Sequence, residues 1–256
     1  MSTDRVRVLD ARGRELSPCD VARARKLTDA GRARWLPGEP PAIQLSYEVE
    51  LPPGRGQPAP AVAPGTPLLL HVCCGPCATY PVPHLRELGF QVLGHWYNPN
   101  IQPAVEYARR EESARVYAQQ VGLPLVAGSY EPERFERAVR GREQRPARCR
   151  RCYRLRLEEA ARVARQQGIE NITTTLLISP YQDQAAIREI GEAVAGEHGL
   201  RFYFENLRRG WSRRGRLARE YGLYLQQYCG CRFSLEERRQ AALARVGALE
   251  AEEEEE

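Results

Sequence analysis

"LLLHVCCGPCATYP", residues 68–81, sets an apolar run directly ahead of three cysteines within five positions, Cys73, Cys74 and Cys77. The run "PLLLHVC" reads as a buried strand, and Pro81–Leu88, closed by Gly89, as a helix with its stop signal. Adjacent cysteines make poor disulfide partners, because the geometry of the bond resists so tight a ring. Thiols crowded at the end of a strand must serve another purpose.

Outward from this stretch, apolar strands alternate with helical periods. "FQVLGHWY" (90–97) predicts a second strand, followed by a turn at Asn98-Pro99-Asn100 and a helix over Ala104–Val121. "LPLVAG" predicts a third strand and Glu131–Val139 a short helix. Tyr153, Leu157, Ala160, Ala161 and Ala164 recur with helical period across Cys152–Gln167, which Gly168 ends. "NITTTLLIS" (171–179) reads as a buried strand, Ala185–His198 as a helix and "LRFYFENL" (200–207) as a strand, with two more helices to finish. Such alternation predicts an α/β fold, a parallel sheet with helices on both faces, whose reactive loops lie beyond the carboxyl ends of the strands. Residues 1–50 read as a separate small α+β module: a strand, a turn at Arg12-Gly13, a helix near residues 20–30 and a strand at Ile43–Val49. The Pro/Gly-rich "LPPGRGQPAPAVAPG" (51–65) reads as a linker, 66–249 as the main domain and 250–256 as a solvated acidic tail.

The 256 residues, 42% of them apolar, suffice for one full core and a small second module. No run approaches the roughly 18 apolar residues of a membrane span, and "MSTDRVRV" has no signal-peptide core. A cytoplasmic monomer is expected, in a compartment where clustered thiols bind metal or do redox work rather than form structural disulfides. The formal charge is +5 although six of the last seven residues are glutamate, so the body is considerably more basic than the total. Lys26 is the single lysine. Arginine grips phosphate bidentately and stacks on bases, which makes a nucleic-acid partner plausible; a general preference for arginine would give the same composition.

Apart from Cys19, which reads as a small buried hydrophobe, the cysteines form three groups. Cys149-x-x-Cys152, in "ARCRRCYRLRLEEAA", opens a helix, a position whose dipole favours thiolate. Two sulfurs from this pair and two from the first group would complete a four-thiolate site for zinc or an iron–sulfur cluster. Zinc ribbons pair C-x-x-C with C-x-x-C; here the other half is C-C-x-x-C, which favours the cluster. In Cys229-Gly-Cys231, glycine permits the unusual backbone that would bring two sulfurs together as an easily reduced pair, though two further metal ligands would fit the same spacing.

"HVCCGPC", "HWYNPNIQPAVEYARREESAR", "RCRRCYRLRLEEAA", "TTTLLISPYQDQ" and "REYGLYLQQYCGC" occur in an order and spacing that resembles the cobalamin-independent epoxyqueuosine reductases, the QueH family, over about residues 68–234. The resemblance implies an adenine-nucleotide-hydrolase-like, Rossmann-like fold and reduction of epoxyqueuosine to queuosine at the tRNA wobble position. It implies a 4Fe–4S cluster on Cys73, Cys74, Cys149 and Cys152, an additional iron involving Cys77, and a redox-active disulfide between Cys229 and Cys231. An external electron donor is also implied. Many relatives carry a lysine-rich "DFKK" run where this chain reads "ENLRRGWSRRGR" (205–216). Residues 8–45 are similar to the Arg-rich N-terminal domain of IscB-type RNA-guided nucleases, although "ELSP" departs from the usual motif, and imply a fused nucleic-acid-binding module.

Removing an epoxide oxygen to leave an alkene takes two electrons and two protons. A metal at the first loop would act as Lewis acid on the departing oxygen. Trp96, Tyr97 and Tyr181 are candidate stacking platforms, and Arg109, Arg110, Arg208, Arg209, Arg213 and Arg214 candidate phosphate contacts. Tyr228 and Asp183 are candidate proton donors. The competing readings are an iron–sulfur tRNA sulfur transferase, which would need an S-G-G-x-D-S-type loop where this chain has C-C-G-P-C, and a zinc-stabilised non-catalytic RNA-binding module.

Overall fold

The computed structural model describes residues 5–49 and 62–254, which fall into two compact units. The smaller holds β1 (Arg5–Leu9), β2 (Glu15–Asp20), α1 (Val21–Asp29), β3 (Ala33–Leu36) and β4 (Ala42–Leu45), with sheet order β2-β1-β4-β3. Val6, Val8, Ala24, Ile43 and Leu45 form its core. Strands β2 and β3 are additions to the sequence-based expectation, and β4 is shorter than the Ile43–Val49 expected. Both additions are edge strands, where polar residues and a proline such as Pro18 are tolerated because one rim of the backbone needs no partner. Asp20 caps α1 by accepting a hydrogen bond from the Arg23 N–H at 2.7 Å.

The larger unit continues with β5 (Thr66–Val72), α2 (Gly75–Ala78), α3 (Pro81–Glu87), β6 (Phe90–Trp96), α4 (Ala104–Gln120), β7 (Leu125–Ala127), α5 (Pro132–Val139) and α6 (Ala147–Gln166). After these come β8 (Asn171–Thr174), α7 (Gln184–Glu197), β9 (Arg201–Phe202), α8 (Trp211–Glu220) and α9 (Arg232–Glu254). Residues 51–61 of the expected linker lie outside the described residues, whereas Val62 already packs on the core and Gly65 donates to the Gly89 carbonyl. The expected acidic tail is partly helix: α9 runs as far as Glu254. Among the described residues no helix is long and apolar enough to cross a membrane.

Every pairing in the five-stranded sheet is parallel, in the order β7-β6-β5-β8-β9. The chain builds outward from β5 through β6 to β7, then returns to the other side of β5 with β8 and β9. That is a Rossmann-type order, with its switch point in the crevice between β5 and β8. One core, including Leu69, Leu157, Ile172 and Ile187, lies on one face of the sheet. The other face buries Leu68, Leu70, Val92 and Tyr117.

Two strands end sooner than their apolar sequence predicts. At Thr174 the ladder gives way to a 3-10 turn over Thr175–Ile178, because the Thr174 hydroxyl accepts from the Leu176 N–H at 3.1 Å and competes with sheet pairing. The segment at 200–207 is strand only at Arg201–Phe202, after which one further hydrogen bond, from Tyr203 N–H to the Ile172 carbonyl, precedes its departure from the edge. Because Leu69 is fully buried at the centre of the sheet, Leu69→Ala should lower stability by about 3 kcal/mol. Leu243→Ala, at a residue 71% exposed on α9, should change it by less than about 0.5 kcal/mol. Chemical denaturation of the two variants checks the contrast.

A candidate metal and redox site at the switch point

Strand β5 delivers Cys73 to the crevice, and Cys74 is the N-cap of α2. The Cys77 N–H donates to the Cys74 sulfur at 3.2 Å, and the sulfurs of Cys73, Cys74 and Cys77 all lie within 4.8 Å of one another. Gly75 makes this turn possible. A Cβ there would sit 2.6 Å from the Ser113 carbonyl oxygen of α4, closer than any side chain tolerates. Just past β8, Thr175 closes the other side: its hydroxyl accepts from the Cys73 N–H at 2.9 Å and donates to the Cys73 sulfur at 3.1 Å. Hydrogen bonds from the neighbouring thiols and from Thr175 hold Cys73 well below the usual thiol range, while burial pushes Cys74 up. Of the three, Cys73 is therefore the thiol that gives up its proton most readily. Burial lowers His71, beneath the site, to about 3; its neutral ring accepts from Thr174 and donates to the Tyr97 carbonyl.

Cys149 and Cys152 lie one turn apart at the start of α6, as their spacing predicts. Burial raises both thiols, Cys152 to about 11. The third group sits in the loop between α8 and α9. Gly230 there has φ +127°, and a Cβ would press within 3.0 Å of Asn100 and Ile101, so only glycine serves between Cys229 and Cys231. The two sulfurs are 3.8 Å apart, as a dithiol. A hydrogen bond from Cys231 lowers exposed Cys229 to about 5, with Ser234 Oγ 3.0 Å from the same sulfur, and the partner thiol is pushed upward in turn.

All three groups line one cavity of about 700 Å³: Cys73 and Cys77, Cys149 and Cys152, Cys229 and Cys231. Cys74 lies behind this surface, buried, and accepts from Gln226 Nε2 at 2.7 Å. The tight sulfur trio is thus the first loop alone, with the α6 pair facing it across the same space. A trio of sulfurs, a second thiol pair and a Gln226 amide oxygen that is buried with no hydrogen-bond partner among the described residues form a donor set that fits a metal–sulfur group.

Several other candidates have different roles. Trp96 and Tyr97 are fully buried, the indole N–H bonded to the Tyr107 hydroxyl and the Tyr97 hydroxyl to Glu131, so neither is a stacking platform. Their apolar faces belong to the core around β6. Buried Arg110 pairs with Glu106 at 2.6 Å and donates to the carbonyls of Tyr228 and Cys229, so it clamps the dithiol loop rather than a phosphate. Arg208 donates to the carbonyls of Ser179 and Gln182. Arg209 joins Glu205, His84 and the Tyr80 hydroxyl, which anchors the 205–216 segment to α3. Asp183 caps α7 through the Ala186 N–H, and the Tyr228 hydroxyl donates to the Gln102 carbonyl, so neither presents a free proton to the cavity. Arg109 and Arg213 are exposed outside the cavity wall.

Tyr181 does line the mouth, 76% exposed. Its ring meets the edge of Trp211 at 5.7 Å, and the Arg214 guanidinium lies 4.1 Å over the Trp211 ring. Trp211, Gln226 and Arg156 also line the cavity and were missed from the sequence. No local pattern marks a single tryptophan, glutamine or helical arginine as facing a cavity rather than core or solvent.

The pH dependence of Cys229 is directly measurable. A thiol lowered to about 5 is thiolate across neutral pH. In metal-free protein its alkylation by iodoacetamide, followed by site-resolved mass spectrometry, should rise between about pH 4 and 6 and then level off. An ordinary thiol, such as one in the unfolded chain, would keep accelerating beyond about pH 8.

The family described as "Epoxyqueuosine reductase QueH" matches residues 68–237. An epoxyqueuosine reductase QueH from Thermotoga maritima is 38% identical over 181 residues, covering 68% of this chain and 92% of the relative. One from Dehalococcoides mccartyi is 37% identical over 172 residues, covering 67% and 93%. Among solved structures, a predicted subunit of tRNA methyltransferase from Methanocaldococcus jannaschii overlays with TM-score 0.41 at 13% identity, covering 60% of this chain and 75% of that one. The matched span takes in the parallel sheet and all three cysteine groups, and by it this chain belongs to the QueH family of epoxyqueuosine reductases.

Proposed function

We propose that this chain reduces epoxyqueuosine to queuosine at the wobble position of tRNA, removing the epoxide oxygen as water. The reading rests on family membership and on one observation, the gathering of three cysteine groups around a single cavity. Its volume, about 700 Å³, is of the size that encloses a small ligand.

Cys73, Cys74, Cys149 and Cys152 would hold a 4Fe–4S cluster, with an additional iron beside Cys77. When bound, these groups supply single electrons and a Lewis-acidic centre for the departing oxygen. The remaining chemistry falls to the chain itself. Closure of the Cys229–Cys231 dithiol to a disulfide releases two electrons, the number the epoxide consumes. With Cys229 already thiolate and Cys231 protonated, closure frees one proton; the second comes from water. An electron donor outside the chain then returns two electrons to the disulfide. Arg110 and Gly230 keep both sulfurs turned into the cavity throughout.

RNA is read most readily where bases are already unstacked, as in a loop. Tyr181, Trp211 and Arg214 at the mouth offer an aromatic and cationic surface on which a splayed base would stack. The smaller unit is read as a second RNA contact, because Arg23, Arg25, Lys26, Arg32 and Arg34 are exposed beside a 43%-exposed Trp35.

Anaerobic incubation of the reduced, iron-loaded chain with epoxyqueuosine-containing tRNA should produce RNA lacking one oxygen by mass spectrometry. A colourless protein that binds one zinc and leaves the RNA unchanged would overturn the assignment. Cys229→Ser should retain the iron absorbance yet lose repeated turnover. Trp211→Ala should raise KM for the tRNA roughly tenfold, as removal of a stacking interaction of about 1–3 kcal/mol predicts, with a smaller effect on kcat.

A further inference from the structure

Three arginines reach the cavity wall while almost wholly buried, and two of them are neutralised by carboxylates. Arg110 pairs with Glu106 and Arg148 with Glu237. Arg156 is the exception. It is 5% exposed on α6, one turn beyond Cys152, and its Nε donates to the Cys152 carbonyl at 3.2 Å. No ion pair to a carboxylate reaches it among the described residues. Arg156 lines the cavity together with Cys73, Cys152 and Cys229, one sulfur from each group, and the electrostatic neighbours of its guanidinium are these sulfurs and the Tyr153 hydroxyl. A buried cation without an anion is strongly destabilising, so a fold that keeps one has an anion to place against it. Among the described residues, the groups placed to supply that anion are the sulfurs, or whatever they bind.

We propose that Arg156 is the counter-ion of the sulfur site, a positioning residue whose fixed charge offsets the negative charge concentrated where the three cysteine groups meet. This rests on the reading that Cys73, Cys74, Cys149 and Cys152 hold a metal–sulfur group. Arginine suits the role better than lysine: its charge is permanent, and its planar fork has further N–H donors beyond the Nε that is tied to the helix. Placement on α6 gives it a rigid mount, since that helix also carries Cys149 and Cys152.

The role makes opposite predictions for the metal-free and metal-loaded chains. Arg156→Met replaces a buried cation, offset only by sulfur, with an apolar side chain of similar volume, so the metal-free variant should melt no lower than the metal-free parent. After anaerobic loading with ferrous iron and sulfide, the same variant should lose its iron to a chelator about tenfold faster, the scale expected when a group supporting metal ligands is lost. Arg156→Lys should keep most of the parent's iron retention. A metal-free Arg156→Met that melts lower or fails to fold makes Arg156 an ordinary structural residue and overturns the proposal, as does iron retention equal to the parent's. If the parent chain itself takes up no iron, the metal reading falls and the counter-ion role with it, an outcome distinct from failure confined to the variant.

Discussion

Backbone meets backbone where Gly75 lies on the Ser113 carbonyl of α4, and the geometry of the cavity follows from that contact. The approach brings the first turn of α2 so close to α4 that Cys74 and Cys77 have little latitude. One turn earlier on the same helix, Arg110 holds the carbonyls of Tyr228 and Cys229. Residues three apart on a helix share a face. A single rigid element therefore registers two cysteine groups that are about 150 residues apart in sequence, and α6 faces them with the third.

Charge follows the same economy. Burying a cation requires an anion, and two of the three buried arginines at the wall have one: Glu106 for Arg110 and Glu237 for Arg148. Those pairs fix loops and helices, which is why so arginine-rich a chain devotes few of its buried guanidinium groups to the cavity itself. Arg156 alone among the three buried at the wall is left facing sulfur. Polarity inside the cavity is also asymmetric, with the Cys229 thiol lowered by its hydrogen bond from Cys231 and the Cys231 thiol pushed upward in turn.

Glycines carry the parts of this site that were legible locally. A glycine between Cys229 and Cys231 implies a backbone turn closed to other residues, and φ +127° at Gly230 is that turn. The C-x-x-C spacing at 149–152 implies one helical face, and α6 provides it. The arginine and aromatic candidates fared differently. Arg110 and Trp96 have the composition of an RNA-binding surface but are held in the interior by Glu106 and Tyr107. Those partners lie on neighbouring turns or elements, and nothing in the arginine or tryptophan itself announces them.

By itself the sequence determined the alternation of strands and helices, the parallel sheet that such alternation demands, and the grouping of cysteines by spacing. These depend on period and on local backbone preference, which are properties of neighbouring residues. Only the tertiary structure decided that β5 and β8 flank the switch point, that three cysteine groups share one cavity, and that Arg156 rather than Arg110 has no carboxylate among the described residues. Strand order and the Arg148–Glu237 pair arise from packing between segments far apart in the chain, and even the local Glu106–Arg110 spacing does not say whether it is buried or solvated, because that is set by what packs over it.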